Sequence, residues 1–139
     1  MINDIITAIA TVIHGQYPDA NIYTEPVEQG LVEPAFYIHC IDVDQRDRIA
    51  GRFIQSMPFE VVYFPINGVS DINSTLPVLL VALKLITLEN GQKLAGYNIK
   101  GQVIDDVLHV FVDYDVVVKV ATDPADNMEE LKITGGTNG

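Results

Sequence analysis

"DVLHVFVDYDVVVKV", residues 106–120, alternates between an all-apolar register and a mixed one. In an extended chain Leu108, Val110, Val112, Tyr114, Val116, Val118 and Val120 fall on one face, and His109, Phe111, Asp113, Asp115, Val117 and Lys119 on the other. From Leu108 to Val120 the run covers roughly 40 Å at the rise of a strand, about twice the usual length of 5 to 6 residues. The first face belongs to a core. The second is too apolar for water alone, and it also carries a D-x-D. Either the aspartates mark a metal or phosphate site, or this face meets the N-terminal helix or a neighbouring subunit.

The chemistry of the aspartates favours the second answer. Asp113 and Asp115 stand about 6.6 to 7 Å apart along a strand, so they share a cation only by bending toward each other. A magnesium site usually adds bound phosphate, which needs a glycine-rich or basic cradle, and the sequence offers none. His14, His39 and His109 lie on separate elements without metal-ligand spacing. Cys40 follows His39 directly, so in a strand the two face opposite sides. A P-loop, G-x-S-x-G and G-x-G-x-x-G are all absent from the sequence. The expectation is therefore a non-enzyme with no catalytic, cofactor-binding or metal-ligating residues. The competing reading is a small metal-dependent enzyme or ligand-binding domain built on Asp105, Asp106, His109, Asp113 and Asp115.

Composition narrows the classes. A chain of 139 residues with 48% hydrophobic content is one domain with a real core. The single cysteine, Cys40, fits a reducing compartment and excludes a cysteine-built zinc cage. No apolar run reaches the ~18 residues of a membrane span, and "MINDIITAIATVIHG" lacks the basic region and cleavage site of a signal peptide, so no membrane contact is expected. A net charge of −11 opposes gripping nucleic acid, while allowing DNA to slide past without sticking. Arg46, Arg48 and Arg52 are the one cationic cluster, read either as a solvated loop or as a contact with an acidic neighbour.

Outward from the long strand, "YNIKGQVI" pairs with it through a turn at Asp105 and Asp106. Upstream, "STLPVLLVALKLITLENG" (74–91) reads as a helix starting near Thr75, with Ser70 a possible cap and Pro77 in its first turn. "AFYIHCIDV" (35–43) and "RFIQSMPFEVVYF" (52–64) read as a hairpin joined by the polar "DQRDRIAG", with Pro58 at an edge or bulge. "ANIYTE" is a short strand. Ile2, Ile5, Ile6, Ile9, Val12 and Ile13 recur at helical spacing, with Asn3 or Asp4 as cap and Gly15 as stop. The expected fold is α+β: a single domain in the order α-β-β-β-α-β-β, a mostly antiparallel twisted sheet with two long hairpins packed against two helices. The folded domain is expected over 1–122. Residues 123–139 form an acidic, glycine-rich tail, read as a flexible end or an arm that orders on a neighbour. On the second sheet face Val62, Phe64, His109, Phe111, Asp113, Asp115 and Val117 are the candidate interface residues, with Arg46, Arg48 and Arg52 beside them.

"EQGLVEPAFYI" (28–38), "FEVVYFP" (59–65) and "VIDDVLHVFVDYDVVV" (103–118), with a helix between the last two, resemble a family of short tail terminator proteins. Such proteins come from phages and phage-derived contractile particles of Gram-positive bacteria. The resemblance runs from the first helix to about Ala121, and its motifs are structural. It implies an α/β subunit of a ring, typically a hexamer, that docks on the tail tube, stops its polymerisation and faces neck, head-completion or sheath proteins. In a headless bacteriocin-like particle the ring closes the tube. It also implies assembly in the host cytoplasm and a place in the virion or tail-like particle; a neck or head–tail connector is the related alternative. Asp106 departs from the pattern, where glycine is expected in the turn.

Overall fold

The computed structural model describes residues 1–120 and the backbone of 131–135. The order is α1 (Ile2–Gln16), β1 (Asn21–Tyr23), β2 (Ala35–Cys40), β3 (Asp44–Asp47), β4 (Arg52–Phe64), α2 (Val69–Ala82), β5 (Leu85–Thr87), β6 (Lys93–Ala95), β7 (Tyr97–Ile104), β8 (Val107–Val120) and β9 (Leu131–Gly135). β4 and β8 are the spine, antiparallel from Arg52↔Lys119 to Tyr63↔Leu108. The principal sheet runs β1-β2-β4-β8-β7, with β3 on the β2 side of β4 and β9 completing β8 beyond the start of β7. β1 joins β2 in parallel; the other ladders are antiparallel. The α+β expectation, two helices on a mostly antiparallel sheet with two long hairpins, holds.

One face of this sheet carries the core. Phe36, Ile38, Phe59, Val61, Leu108, Val110, Val112, Tyr114 and Val116 have no exposed surface and form one cluster with residues of both helices. From α1 come Ile5, Ala8, Ile9 and Ile13; from α2 come Ile72 and Leu79, followed by Leu83. The apolar stripe of α1 is therefore spent inside its own chain. The prospect that α1 covers the second sheet face is overturned, because both helices lie on the core face.

Several boundaries differ from expectation for physical reasons. α2 begins at Val69, not near Thr75, and Pro77 lies well inside it. Pro77 and Asn73, whose carbonyl loses its i+4 donor there, are both exposed, so water satisfies the freed group. Ser70 lies within the helix rather than capping it. The helix stops at Ala82, and the run that looked helical through Gly91 becomes a small hairpin, β5–β6. There Ile86 and Leu88 are buried while Leu85 and Thr87 are exposed, the period of two that marks a strand. Likewise α1 has no side-chain cap at Asn3 or Asp4, and Gly15 falls inside its last turn.

β3 forms within "DQRDRIAG", which had read as a plain connection, and extends the hairpin to a turn where Ala50 and Gly51 take positive φ. Pro58 sits on the central strand β4 at an irregularity of the kind expected: residues 41–43 face only 57 and 58 where β2 gives way to β3. It faces the gap where β2 ends (Cys40↔Phe59) and β3 has not begun (Asp44↔Ser56), so its missing N–H costs no ladder bond. Of the segment read as a tail, Leu131–Gly135 pairs with β8. Residues 121–130 and 136–139, with the expected domain boundary at 122, lie outside the described residues.

Candidate assembly surface

The second face of the sheet is built by the alternate residues of the same strands. Cross-strand rows run Tyr37, Val62, His109, Gln102, then His39, Glu60, Phe111, Lys100, then Pro58 beside Asp113. Farther along stand Ser56 opposite Asp115, and Arg46, Ile54 and Val117 in one row. Among the described residues no helix or strand packs over this face.

Glu60 organises its centre. One carboxylate oxygen lies 2.6 Å from Nε2 of His39, directly across on β2, and the other 2.6 Å from Nδ1 of His109, diagonally across on β8. A carboxylate only accepts, so each imidazole donates from the nitrogen facing it. A proton therefore sits on Nε2 of His39 and on Nδ1 of His109. Tyr37 stacks on the His39 ring at 4.8 Å, nearly parallel at 7°. The Lys100 ammonium sits 5.8 Å from the centre of the Phe111 ring, a cation–π distance. These contacts hold large side chains in fixed rotamers on an open face.

The D-x-D has a local role. Tyr97 pairs with Asp113 but Lys100 with Phe111, so β7 holds one extra residue, a β-bulge. Asn98 takes positive φ within it and donates to Asp113 Oδ2 at 3.0 Å. The Tyr97 hydroxyl donates to Asp115 Oδ1 at 2.7 Å. Burial first, then this carboxylate, pushes the Tyr97 hydroxyl up from its usual pKa. The two carboxylates thus fasten the first residues of β7. Beside them a shallow depression of about 580 Å³ is lined by Pro58, Asn98, Lys100, Gln102, Phe111 and Asp113.

The metal cluster weighed from the sequence is not assembled. Asp105 and Asp106 form the exposed β7–β8 turn, His109 is bonded to Glu60, and Asp113 and Asp115 to Asn98 and Tyr97. Among the described residues no group of three or more His, Cys, Asp or Glu side chains is placed to hold a metal ion. His39 lies on the second face, whereas Cys40 packs against the core, its thiol pushed up by burial.

Of the candidate interface residues, Phe64, His109, Phe111, Asp113, Asp115 and Val117 are half-buried on the second face. Val62, at 6% exposure, is already shielded by its neighbours in the row. Arg46, in the Ile54–Val117 row, and Arg52, opposite Lys119, are exposed at the far end of the same face, and Arg48 is exposed just beyond β3. Sequence reasoning missed Glu60, the residue that joins two histidines into one unit; its alternation with Val62 and Phe64 was the available signal. It also missed Lys100 and the Tyr97–Asn98 bulge.

No curated protein matches the chain. A family model does, over residues 4–126, and its description is phage tail terminator protein. The match takes in α1 from Asp4 onward, α2, β1 through β8 and the second sheet face. The chain belongs to the phage tail terminator family, and its role is that of a structural component among other phage tail components.

Proposed function

We propose that copies of this chain close into a hexameric ring that seats on the last ring of the tail tube and halts its polymerisation. The ring's other surface then meets neck or head-completion proteins, or closes a headless particle. The observation that supports this reading is the second face of β4 and β8, over which no helix or strand packs among the described residues. It presents Phe64 and Phe111 half-buried and holds its polar groups in hydrogen bonds. A closed ring needs heterologous contact, in which one surface of a subunit meets a different surface of the next. The preset rotamers around Glu60 lower the entropy lost when such a contact forms. Each copy carries −11, so a ring surrounds its channel with negative charge and DNA passes without specific binding.

Tube polymerisation followed by electron microscopy tests this function. Tube protein assembled with the chain present should give short tubes with a distinct density at one end. Tubes of unchanged length, with bare ends, contradict it.

A further inference from the structure

Where α1 gives way to β1, a cavity of about 240 Å³ is lined by Tyr17, Pro18, Pro34, Phe36 and Tyr63, with Asp19 at its rim. Three rings stack through it: Tyr17 on Phe36 with centroids 5.5 Å apart, and Phe36 on Tyr63 at 4.8 Å. Phe36 is fully buried and Tyr63 is 5% exposed, so they make the floor, and half-buried Tyr17 is the ring that reaches solvent. The volume is below the roughly 300 Å³ at which pockets for whole small molecules begin, so the cavity suits a single side chain.

The formal charges around it are of one sign. Asp19 is exposed at the rim, Glu33 directly precedes Pro34, and neither forms an ion pair among the described residues. Burial first, and after it the Asp71 carboxylate in the first turn of α2, push the Tyr63 hydroxyl up from its usual pKa, against a hydrogen bond with Thr75. Residues 1–45 and 53–83, which include every residue lining the cavity, contain no lysine or arginine. The end of α1 adds partial charge of the same sign. Gln16 is its last residue, and Pro18 has no N–H to return to the His14 carbonyl, so the negative end of the helix stands beside the cavity. His14, the one basic side chain of that turn, is exposed and does not line the cavity.

We propose that this cavity is a docking site for an arginine side chain carried by a basic segment of a partner protein. The guanidinium plane lies against the Tyr17 ring while its donors fork toward Asp19, which joins a cation–π contact to a charge-assisted hydrogen bond. The negative field of the surrounding segments draws the basic segment in. A second copy of this chain is the poorer occupant: each copy carries −11, and Arg46 and Arg48 alternate with Asp44 and Asp47. The inference goes beyond the ring proposed above and does not rest on it.

A capped Gly-Ser-Arg-Ser-Gly peptide, titrated to millimolar concentration into the full chain and followed by two-dimensional NMR, tests it. The same peptide with citrulline in place of arginine keeps the shape and loses the charge. The expected result is saturable shifts confined to the surroundings of Tyr17, Asp19 and Tyr63, weakened by salt and about tenfold weaker with citrulline. Asp19→Asn, at an exposed position that leaves the fold intact, and Tyr17→Leu, checked by thermal melting, should each weaken binding several-fold. Absent or unsaturable shifts, shifts elsewhere, equal binding of the citrulline peptide, or wild-type binding by Asp19→Asn overturns the proposal. Spermidine binding as tightly as the arginine peptide overturns it in favour of a small-amine site. A fall in solution mass caused by Asp19→Asn overturns it in favour of a second copy; failure of the wild type to form a ring leaves it standing.

Discussion

Replacing Glu60 by alanine removes the acceptor shared by His39 and His109. Hydrogen bonds to a charged group contribute about 1.5–3 kcal/mol each when well buried. Here the side chains of His39, His109 and Glu60 are 32%, 22% and 15% exposed, so water replaces part of what is lost. Discounted for that exposure, Glu60→Ala should cost about 2 kcal/mol in all. Glu60→Gln should cost much less, about 0.5–1 kcal/mol, because the amide oxygen still accepts from one imidazole and its NH₂ donates to the other in that ring's alternative tautomer. Urea unfolding of the three proteins at one pH, with unchanged m-values as the check on two-state behaviour, gives both differences. An alanine variant within about 0.3 kcal/mol of the wild type would show that the two 2.6 Å bonds contribute nothing net. A glutamine variant as unstable as the alanine one would refute the hydrogen-bond reasoning in favour of charge alone.

Three further substitutions probe the core and the turns. Tyr114 is fully buried and its hydroxyl donates to the Leu83 carbonyl at 2.7 Å, so Tyr114→Phe should cost about 1–3 kcal/mol in denaturant unfolding. Burial also pushes that hydroxyl far above its ordinary pKa of 10.0, so the folded state keeps its proton longer than the unfolded state. Stability is therefore unaffected below about pH 10 and falls above it by about 1.4 kcal/mol per pH unit until the folded group titrates. Tyr114→Phe should make that alkaline slope shallower, leaving what Tyr63 and Tyr97, also pushed up, contribute. Gly96→Ala would drive its Cβ into the Leu83 carbonyl oxygen and to 2.7 Å from Val112 Cγ2, and a loss of about 1–3 kcal/mol should appear as a lower melting temperature. Asp106→Gly should stabilise by about 0.5 kcal/mol, since φ is 62° at Asp106 and glycine accepts that region without strain; a drop in melting temperature would contradict this.

The spine of the fold was legible because β8 alternates along nearly its whole length and β4 through its middle, and alternation fixes which residues face the core. α1 was legible for the same reason at a period of 3.6. The end of α2 was not: Val78, Leu79, Leu80, Val81, Leu83, Leu85 and Ile86 are apolar at both periods, and only tertiary packing decides that Val81 is 68% exposed while Ile86 is buried. Local polarity hid β3, whose four residues are all exposed and whose pairing is dictated by the length of β4. On the second face, Phe111, His109, Asp113 and Asp115 could be placed from one strand alone. Their partners could not, since His39, Glu60 and Asn98 come from three other strands and meet them only through register. The turn at Asp105 and Asp106 accommodates its missing glycine: both aspartates take positive φ, at 52° and 62°.

The claim that copies assemble into a ring is tested most directly by the mass of the purified chain in solution, measured by light scattering across a concentration series. A single chain weighs 15.3 kDa. The account predicts a species near six times that mass, growing in with concentration and lost when Phe111 on the second face is replaced by aspartate. A mass that stays at 15.3 kDa at every concentration and on added tail tubes would contradict it.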